Sequence, residues 1–394
     1  MRIVEPFLDL EIYRGHKLLK GNQYVMSGAV MNQLKNIFPG GIAESGDFKK
    51  HYRPINVNSL SKGKSLFLFR SGGIGDVMFM FPLIKYLKEN FEATITVSTT
   101  PTYMTLIENN PDVDKSVKLP FRVEEMDEAD YHLTFEGVIE DIDKEAKTIH
   151  AVDLFLKEAH VDFTKIAAKD KVPRFNINKS LKKRIWERIK HLKNTVKIGI
   201  QLAASSPIRT FPLEKLVGVA RKMLSKGYAV FLFGGKREED ISRQVFNILV
   251  SSSDKMMVVN VIDEPVELDG SIVFASFMDV IVAPDSSFIH IAGALDIPVV
   301  GLYGCFPSLL RMRYYKNAIG IDANVPCAPS FIHGHAPCYK GDPPPCFSVI
   351  SIDSVVNAVE HLLGNFRIEM EYPAYNIFKG GRMVGSTFVK QLEQ

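Results

Sequence analysis

Val280-Ile281-Val282-Ala283-Pro284-Asp285-Ser286-Ser287-Phe288-Ile289-His290-Ile291-Ala292-Gly293-Ala294-Leu295 decides the reading of this chain. An apolar run of strand length gives way to an acid and two small hydroxyl residues. An apolar, helix-like stretch follows and ends at Asp296-Ile297-Pro298, before a second strand-like run, Val299-Val300-Gly301-Leu302-Tyr303-Gly304. Strand, polar turn, helix and strand in succession form a unit of a parallel sheet. The turn is suited to an anion. The first N–H groups of a helix have no partner within it, and its dipole adds partial positive charge. Asp285, Ser286 and Ser287 therefore read as a phosphate-binding turn, with His290 three residues further in as another donor.

The pattern recurs on the N-terminal side. Ser65-Leu66-Phe67-Leu68-Phe69-Arg70 reads as a buried strand, followed by Ser71-Gly72-Gly73-Ile74-Gly75-Asp76. An amphipathic helix is expected next, with Val77, Phe81, Ile84 and Leu87 on its apolar face and Lys85, Lys88 and Glu89 opposite. In the middle of the chain, Ile198-Gly199-Ile200-Gln201-Leu202-Ala203-Ala204-Ser205-Ser206-Pro207 leads to Arg209 and a further helix. The strand Ala229-Val230-Phe231-Leu232-Phe233 then ends in Gly234-Gly235-Lys236-Arg237-Glu238-Glu239.

In order and spacing these four segments resemble glycosyltransferase family 9, the heptosyltransferase-like enzymes, over roughly residues 64–363. The resemblance implies an α/β protein of GT-B fold, two Rossmann-like doubly wound domains facing across a cleft. It also implies metal-independent, inverting transfer of a sugar from a nucleotide-diphosphate sugar to an acceptor hydroxyl. The donor is a substrate, and no cofactor is expected.

Asp76 stands where the family has its catalytic aspartate, and Gly72, Gly73 and Gly75 form the acceptor-side loop. On the residues alone Asp76 reads rather as a helix N-cap, and the resemblance turns the reading to catalysis. Ser205, Ser206 and Arg209 match the donor-phosphate loop. Arginine stands there where the family often has lysine, which keeps the charge and adds a bidentate fork. An ordinary Ser-Pro turn is the alternative. Gly234 and Gly235 precede an acid, Glu238 or Glu239, that the resemblance assigns to the nucleotide ribose; a dipole-favoured acid at a helix start is the other reading. Asp285, Ser286, Ser287 and His290 match the C-terminal signature that holds the diphosphate. Ser287-Phe288 replaces the family's Gly-Pro, which removes the closest backbone approach to the ligand.

Composition sets the frame. At 394 residues two domains are expected, and a net charge of +3 is too small to imply a nucleic-acid partner. No apolar run approaches the ~18 residues of a membrane span, and acids interrupt the N-terminus where a signal peptide would be apolar. The expectation is a cytoplasmic protein with at most peripheral membrane contact. Cysteines stand at 305, 327, 338 and 346. Cys327, Cys338 and Cys346, with His333 and His335 among them, are weighed as zinc ligands or a disulfide against free thiols; no C-x-x-C spacing supports the first. Asp141-Ile142-Asp143 has the spacing of a metal motif but lies in an acidic, surface-like stretch.

The expected organisation is an accessory segment at 1–62, an acceptor-side domain at 63–178, a connector helix at 179–195, a donor-binding domain at 196–364, and a tail at 365–394. In GT-B enzymes such a tail crosses back to the first domain. The connector carries Leu181, Ile185, Ile189 and Leu192 on one face and Lys182, Lys183, Arg184, Arg188 and Lys190 on the other. That basic face reads as solvated or as a polyanion contact.

A dinucleotide oxidoreductase is disfavoured, because Met78 occupies the third glycine position after Gly73-Ile74-Gly75 and no acid ends the second strand. No Walker motif is present in the sequence. The family's acceptors make a bacterial surface glycan such as lipopolysaccharide the leading expectation. A hydroxylated base of DNA, flipped into the site of a virus-encoded enzyme, is the alternative acceptor. A non-catalytic nucleotide-sugar-binding protein is the alternative of another class.

Overall fold

Two runs of β-branched and aromatic residues, each broken by helices, pair into two parallel sheets. The computed structural model describes residues 1–13, 16–140, 147–332, 338–341, 344–365 and 374–386. It divides into a first unit, Met1–Ile139 with Val152–Lys165, and a second, Glu140–Ala151 with Ile166–Gln394. Asp141-Ile142-Asp143, His333 and His335 lie outside the described residues.

The first unit's parallel sheet runs Tyr131–Thr134, Ser65–Arg70, Thr94–Thr99, Lys115–Lys118 from edge to edge. The strand order reverses beside Ser65–Arg70, and the loop leaving its carboxyl end is Ser71–Asp76. In such sheets ligands bind at that reversal, outside the carboxyl ends of the strands. The segment expected as one amphipathic helix is two, Ile74–Phe79 and Phe81–Phe91. Pro82 has no N–H to continue the first helix and sits comfortably in the first turn of a new one.

The accessory segment is more regular than its sequence. Ile42–Gly46, Arg2–Pro6, Tyr24–Met26 and Phe121–Arg122 form a four-stranded antiparallel sheet, in that order, with the helix Gly28–Ile37. Neighbouring residues face opposite ways. Ile3 and Val25 join Phe67, Phe69 and Phe121 in one core, while Val4, Tyr24 and Met26 pack with Met31 and Leu34 in another. Burial on both faces erases the polar–apolar alternation that would reveal these strands.

The second unit's eight-stranded sheet begins Val258–Asn260, Ala229–Phe233, Lys197–Gln201, Val280–Pro284, Val299–Tyr303, Ala318–Asp322, all parallel. In chain order this is 3-2-1-4-5-6, the arrangement of dinucleotide-binding folds. Its reversal lies between Lys197–Gln201 and Val280–Pro284, the two strands that deliver the Ser205–Arg209 and Asp285–Ser287 segments. The expected helices follow at Leu213–Ser225, Glu239–Val250, Ser287–Ala294 and Ile352–Leu362.

Three boundaries differ from expectation. Within the expected first domain, Glu140–Ala151 and residues 166–178 belong to the second unit. The expected connector, Lys179–Ile189, also belongs there: Trp186 packs on Phe277 with ring centroids 5.5 Å apart, and Leu181, Ile185, Ile189 and Leu192 are buried. On its basic face Arg188 pairs with Glu264, Lys190 with Glu187, and Lys182 lies over the Phe277 ring, the contacts of a solvated helix face. The tail also adds to the second unit. Ala374–Lys379 pairs antiparallel with Ala318–Asp322 and turns into Arg382–Ser386. The turn is Gly380-Gly381, with φ of 56° and 87°, the two positive angles of a tight hairpin. Residues 366–373 and 387–394 lie outside the described part of the tail. Among the described residues no helix is long and apolar enough to cross a membrane.

Candidate functional site

In the first unit, Arg70 closes its strand with a side chain only 1% exposed. Its Nη1 donates to the Phe135 carbonyl at 2.7 Å and its Nη2 to Asp76 Oδ2 at 3.0 Å. Gly73 N–H donates to the same Oδ2 at 3.1 Å, so Gly73, not Asp76, is the N-cap residue of Ile74–Phe79, and Asp76 secures it from the third helical position. Both bonds fall on one oxygen. Oδ1 accepts none from the described residues, and the side chain is 24% exposed. A carboxylate anchored through one oxygen with the other open can secure the helix start and serve as a base.

The loop is tied from both neighbouring strands. Ser71 donates through N–H and Oγ to the two oxygens of Glu136, and Thr100 Oγ1 donates to the Ser71 carbonyl at 3.1 Å. Gly72 cannot carry a side chain, since a Cβ there would meet Arg70 Nε and Asp76 Oδ2 at 2.5 Å. Gly73 has room for one, and Gly75 continues the helix. The sequence reading missed Arg70 and Glu136, although an arginine ending an apolar strand was a visible signal.

In the second unit, the two segments at the strand reversal meet. Arg209 donates to Ser205 Oγ at 2.6 Å and lies 3.7 Å from Asp285 Oδ2. Asp285 is 4% exposed, and that Oδ2 receives no hydrogen bond. Ser206 Oγ, Ser286 Oγ and the Tyr303 hydroxyl are also buried without a hydrogen-bond partner. Ser286 is the N-cap residue of Ser287–Ala294, yet its side chain makes no capping bond. Buried polar groups are usually satisfied, so such a concentration of unmet ones marks a place where a polar ligand completes the bonding. Phe288, in place of the family's proline, packs against Phe233 with ring centroids 4.8 Å apart.

His290 is buried, and its Nδ1 lies 2.6 Å from the Tyr315 hydroxyl. Burial lowers its imidazole to about 3, outweighing the nearby Asp285 carboxylate, so it is neutral at ordinary pH. It can offer an N–H but no charge. Burial and Asp285 together raise Tyr303 well above the ordinary phenol range and push the Cys305 thiol up to about 12. Tyr303, Arg311 and Tyr315 lie outside the motifs that the sequence singled out.

The first glycine after Ala229–Phe233 is closely packed: a Cβ on Gly234 would sit 2.7 Å from Ile262 Cδ1 and 3.1 Å from Glu238 Cβ. The two acids that follow are distinguishable. Glu238 Oε2 accepts the Gly235 N–H at 2.7 Å, whereas Glu239 pairs with Arg243. Cys327, Cys338 and Cys346 have free thiols; burial, followed by Cys338 and Cys327, raises Cys346 to about 11. Among the described residues no group of three or more His, Cys, Asp or Glu is arranged to hold a metal ion.

Comparison with known proteins bears on the family and the fold. The profile of glycosyltransferase family 9 (heptosyltransferase) matches residues 126–337, just over half of the chain. Lipopolysaccharide heptosyltransferase 1 of Campylobacter coli is 26% identical over 173 residues, 43% of this chain and 47% of that protein. The match thus spans about half the length of this curated relative. Among solved structures, ADP-heptose lipopolysaccharide heptosyltransferase II of E. coli superposes with a TM-score of 0.60 at 17% identity, over 76% of this chain and 98% of its own. The glycosyl transferase family 9 protein of Veillonella parvula gives 0.59 at 18% identity, over 79% and 99%. At these identities the likeness shows the fold.

Proposed function

This chain belongs to glycosyltransferase family 9, and on that premise we propose that it transfers a sugar from a nucleotide-diphosphate sugar to an acceptor hydroxyl. The observation that carries the reading is the meeting of Arg209 with Asp285 at the strand reversal, beside the buried, unpartnered hydroxyls of Ser206 and Ser286. That arrangement suits a ligand rich in acceptor oxygens, as a diphosphate is.

In the reaction, Asp76 Oδ1 takes the proton of the acceptor hydroxyl. The oxygen attacks the anomeric carbon as the bond to the diphosphate breaks, and the bonding pair leaves with the nucleotide. Attack opposite the leaving group inverts the anomeric centre. Arg70 keeps the base oriented through Oδ2. Arg209, Ser205, Ser206, Ser286 and the first amides of Ser287–Ala294 hold the departing diphosphate, and no metal is required in this scheme. His290 contributes a neutral N–H. Glu238, whose Oε1 accepts no hydrogen bond from the described residues, binds the ribose; Glu239 is occupied by Arg243. The acceptor is a bacterial surface glycan of the lipopolysaccharide class, consistent with the activity named for the Campylobacter coli relative.

Thermal-shift screening against UDP, GDP, CDP, ADP and their sugars, without added metal, tests the donor. Selective stabilisation by one nucleotide is expected, because a ligand bound only to the folded state raises the melting temperature by mass action. Transfer to a lipopolysaccharide-core acceptor in the presence of a chelator, with the product's anomeric configuration read by NMR, tests the rest. Stabilisation by none of the nucleotides would defeat the proposal.

A further inference from the structure

We propose that Arg311 supplies the uncompensated positive charge of the second unit's site and binds the diphosphate of the donor directly. The inference rests on the function proposed above and assigns that site a residue that none of the family-like motifs contains.

Arg311 lies on the short helix Leu309–Met312, which follows the strand Val299–Tyr303, and it is 6% exposed. Its guanidinium stands over the Phe306 ring, 4.9 Å from the centroid, and Nη1 donates to the Leu310 carbonyl at 3.2 Å. No carboxylate among the described residues lies within ion-pair distance of it. A guanidinium offers five N–H donors, and burying one without a counter-charge is costly. One turn further on, Tyr315 reaches His290 on the helix that starts at the anion-binding turn. Arg311 therefore belongs to the same neighbourhood as that turn.

The charge balance singles it out. The Arg209 charge is already answered by Asp285 at 3.7 Å. Burial keeps both histidines of this neighbourhood, His150 and His290, neutral at ordinary pH, with Arg311 acting in the same direction on each. Lys171, the other buried cation acting on His150, donates to the Tyr314 hydroxyl at 3.1 Å, whereas Arg311 has a carbonyl partner and no carboxylate among the described residues within ion-pair distance. At the strand reversal, Ser206 Oγ and Ser286 Oγ are donors without an acceptor, as is the hydroxyl of Tyr303, which feels the Arg311 charge. A ligand that brings negative charge and several acceptor oxygens satisfies both needs, and a diphosphate does so. It follows that Arg311, rather than the motif residue Arg209, dominates the anion affinity of the site.

Isothermal titration of the full chain with inorganic pyrophosphate, and separately with the preferred nucleoside diphosphate and its nucleoside, tests the assignment. Arg311→Met is expected to weaken pyrophosphate and the diphosphate at least tenfold, leave the nucleoside within twofold, and melt no lower than wild type without ligand. Arg209→Met is expected to lose less. Should Arg311→Met fail to fold, Arg311→Lys and Arg311→Gln decide, with lysine retaining most of the affinity and glutamine losing tenfold. Wild type that does not bind pyrophosphate, or variants that bind it within twofold of wild type, would overturn the inference. Pyrophosphate binding that depends on Arg311, with no nucleotide preferred over it, would uphold the inference while removing the donor assignment.

Discussion

The Tyr315 hydroxyl lies 2.6 Å from Nδ1 of His290 and joins the segment after Leu309–Met312 to the helix that opens at the anion-binding turn. Gly293 makes the contact possible, because a Cβ there would sit 2.4 Å from the Tyr315 ring. Tyr315→Phe removes the hydroxyl and leaves a buried ring nitrogen without that partner, a loss of about 1–3 kcal/mol. The expected result in denaturant titration is a lower midpoint with an unchanged slope. Gly293→Ala should match or exceed that loss by displacing the ring. An unchanged midpoint in both variants would mean that the bond does not hold the helix in place.

Asp76→Asn keeps the shape of the cap and removes the base. Transfer should fall by roughly a hundredfold to ten-thousandfold, the usual range for general acid–base catalysis, while the affinity for the donor stays the same. The variant also removes the carboxylate charge that faces Arg70, 1% exposed, across a 3.0 Å bond, so some loss of stability should accompany it. Kinetics and donor titration on the folded variant separate these effects. Transfer at the wild-type rate would remove Asp76 from the mechanism.

The two acids after Gly234-Gly235 should behave differently. Glu239→Gln breaks only an exposed pair with Arg243 and should change stability by less than about 1 kcal/mol, with donor affinity unaffected. Glu238→Gln removes the carboxylate assigned to the ribose. Its effect is expected on the nucleotide and on the nucleoside, but not on pyrophosphate. Equal losses in the two variants, measured by titration calorimetry, would contradict the assignment of Glu238 to the ribose.

Much of this architecture was legible in the sequence because strand and helix periods are distinct. Each strand called between Lys197 and Tyr303 is present, since apolar runs of about five residues bounded by Gly, Pro or Asp have few other readings. The strand order was not legible. No local signal states that Lys197–Gln201 neighbours Val280–Pro284, yet that pairing brings Arg209 to Asp285. The accessory sheet was missed for a related reason: Ile3 and Val4 are both buried, on opposite faces, so the strand looks merely apolar. The tail hairpin could have been found, because Gly380-Gly381 between alternating residues is a turn signal. Arg311 had no such signal, since its importance lies in having no carboxylate within ion-pair distance among the described residues.

Asp322 binds the tail to the sheet and should make stability depend on pH. Its Oδ1 accepts the Ser308 N–H at 3.0 Å, and its Oδ2 accepts Asn376 Nδ2 at 2.7 Å. Burial nonetheless dominates and raises the carboxyl from 3.8 to about 7. Below about pH 4 it is protonated in folded and unfolded chains alike and contributes no pH dependence. From there to about pH 7 the folded state holds a proton that the unfolded state has released. Each unit of pH rise in that window removes about 1.4 kcal/mol of stability, and above it the loss is complete. Asp322→Asn cannot ionise, and an amide flip of Asn376 can restore the hydrogen bonds. Relative to wild type, the variant should gain stability progressively between about pH 4 and 7, by roughly 4 kcal/mol at the upper end. Urea titrations of both proteins at several pH values measure that difference. A constant offset across the range would show that Asp322 is ionised in the folded protein throughout, with the hydrogen bonds outweighing burial.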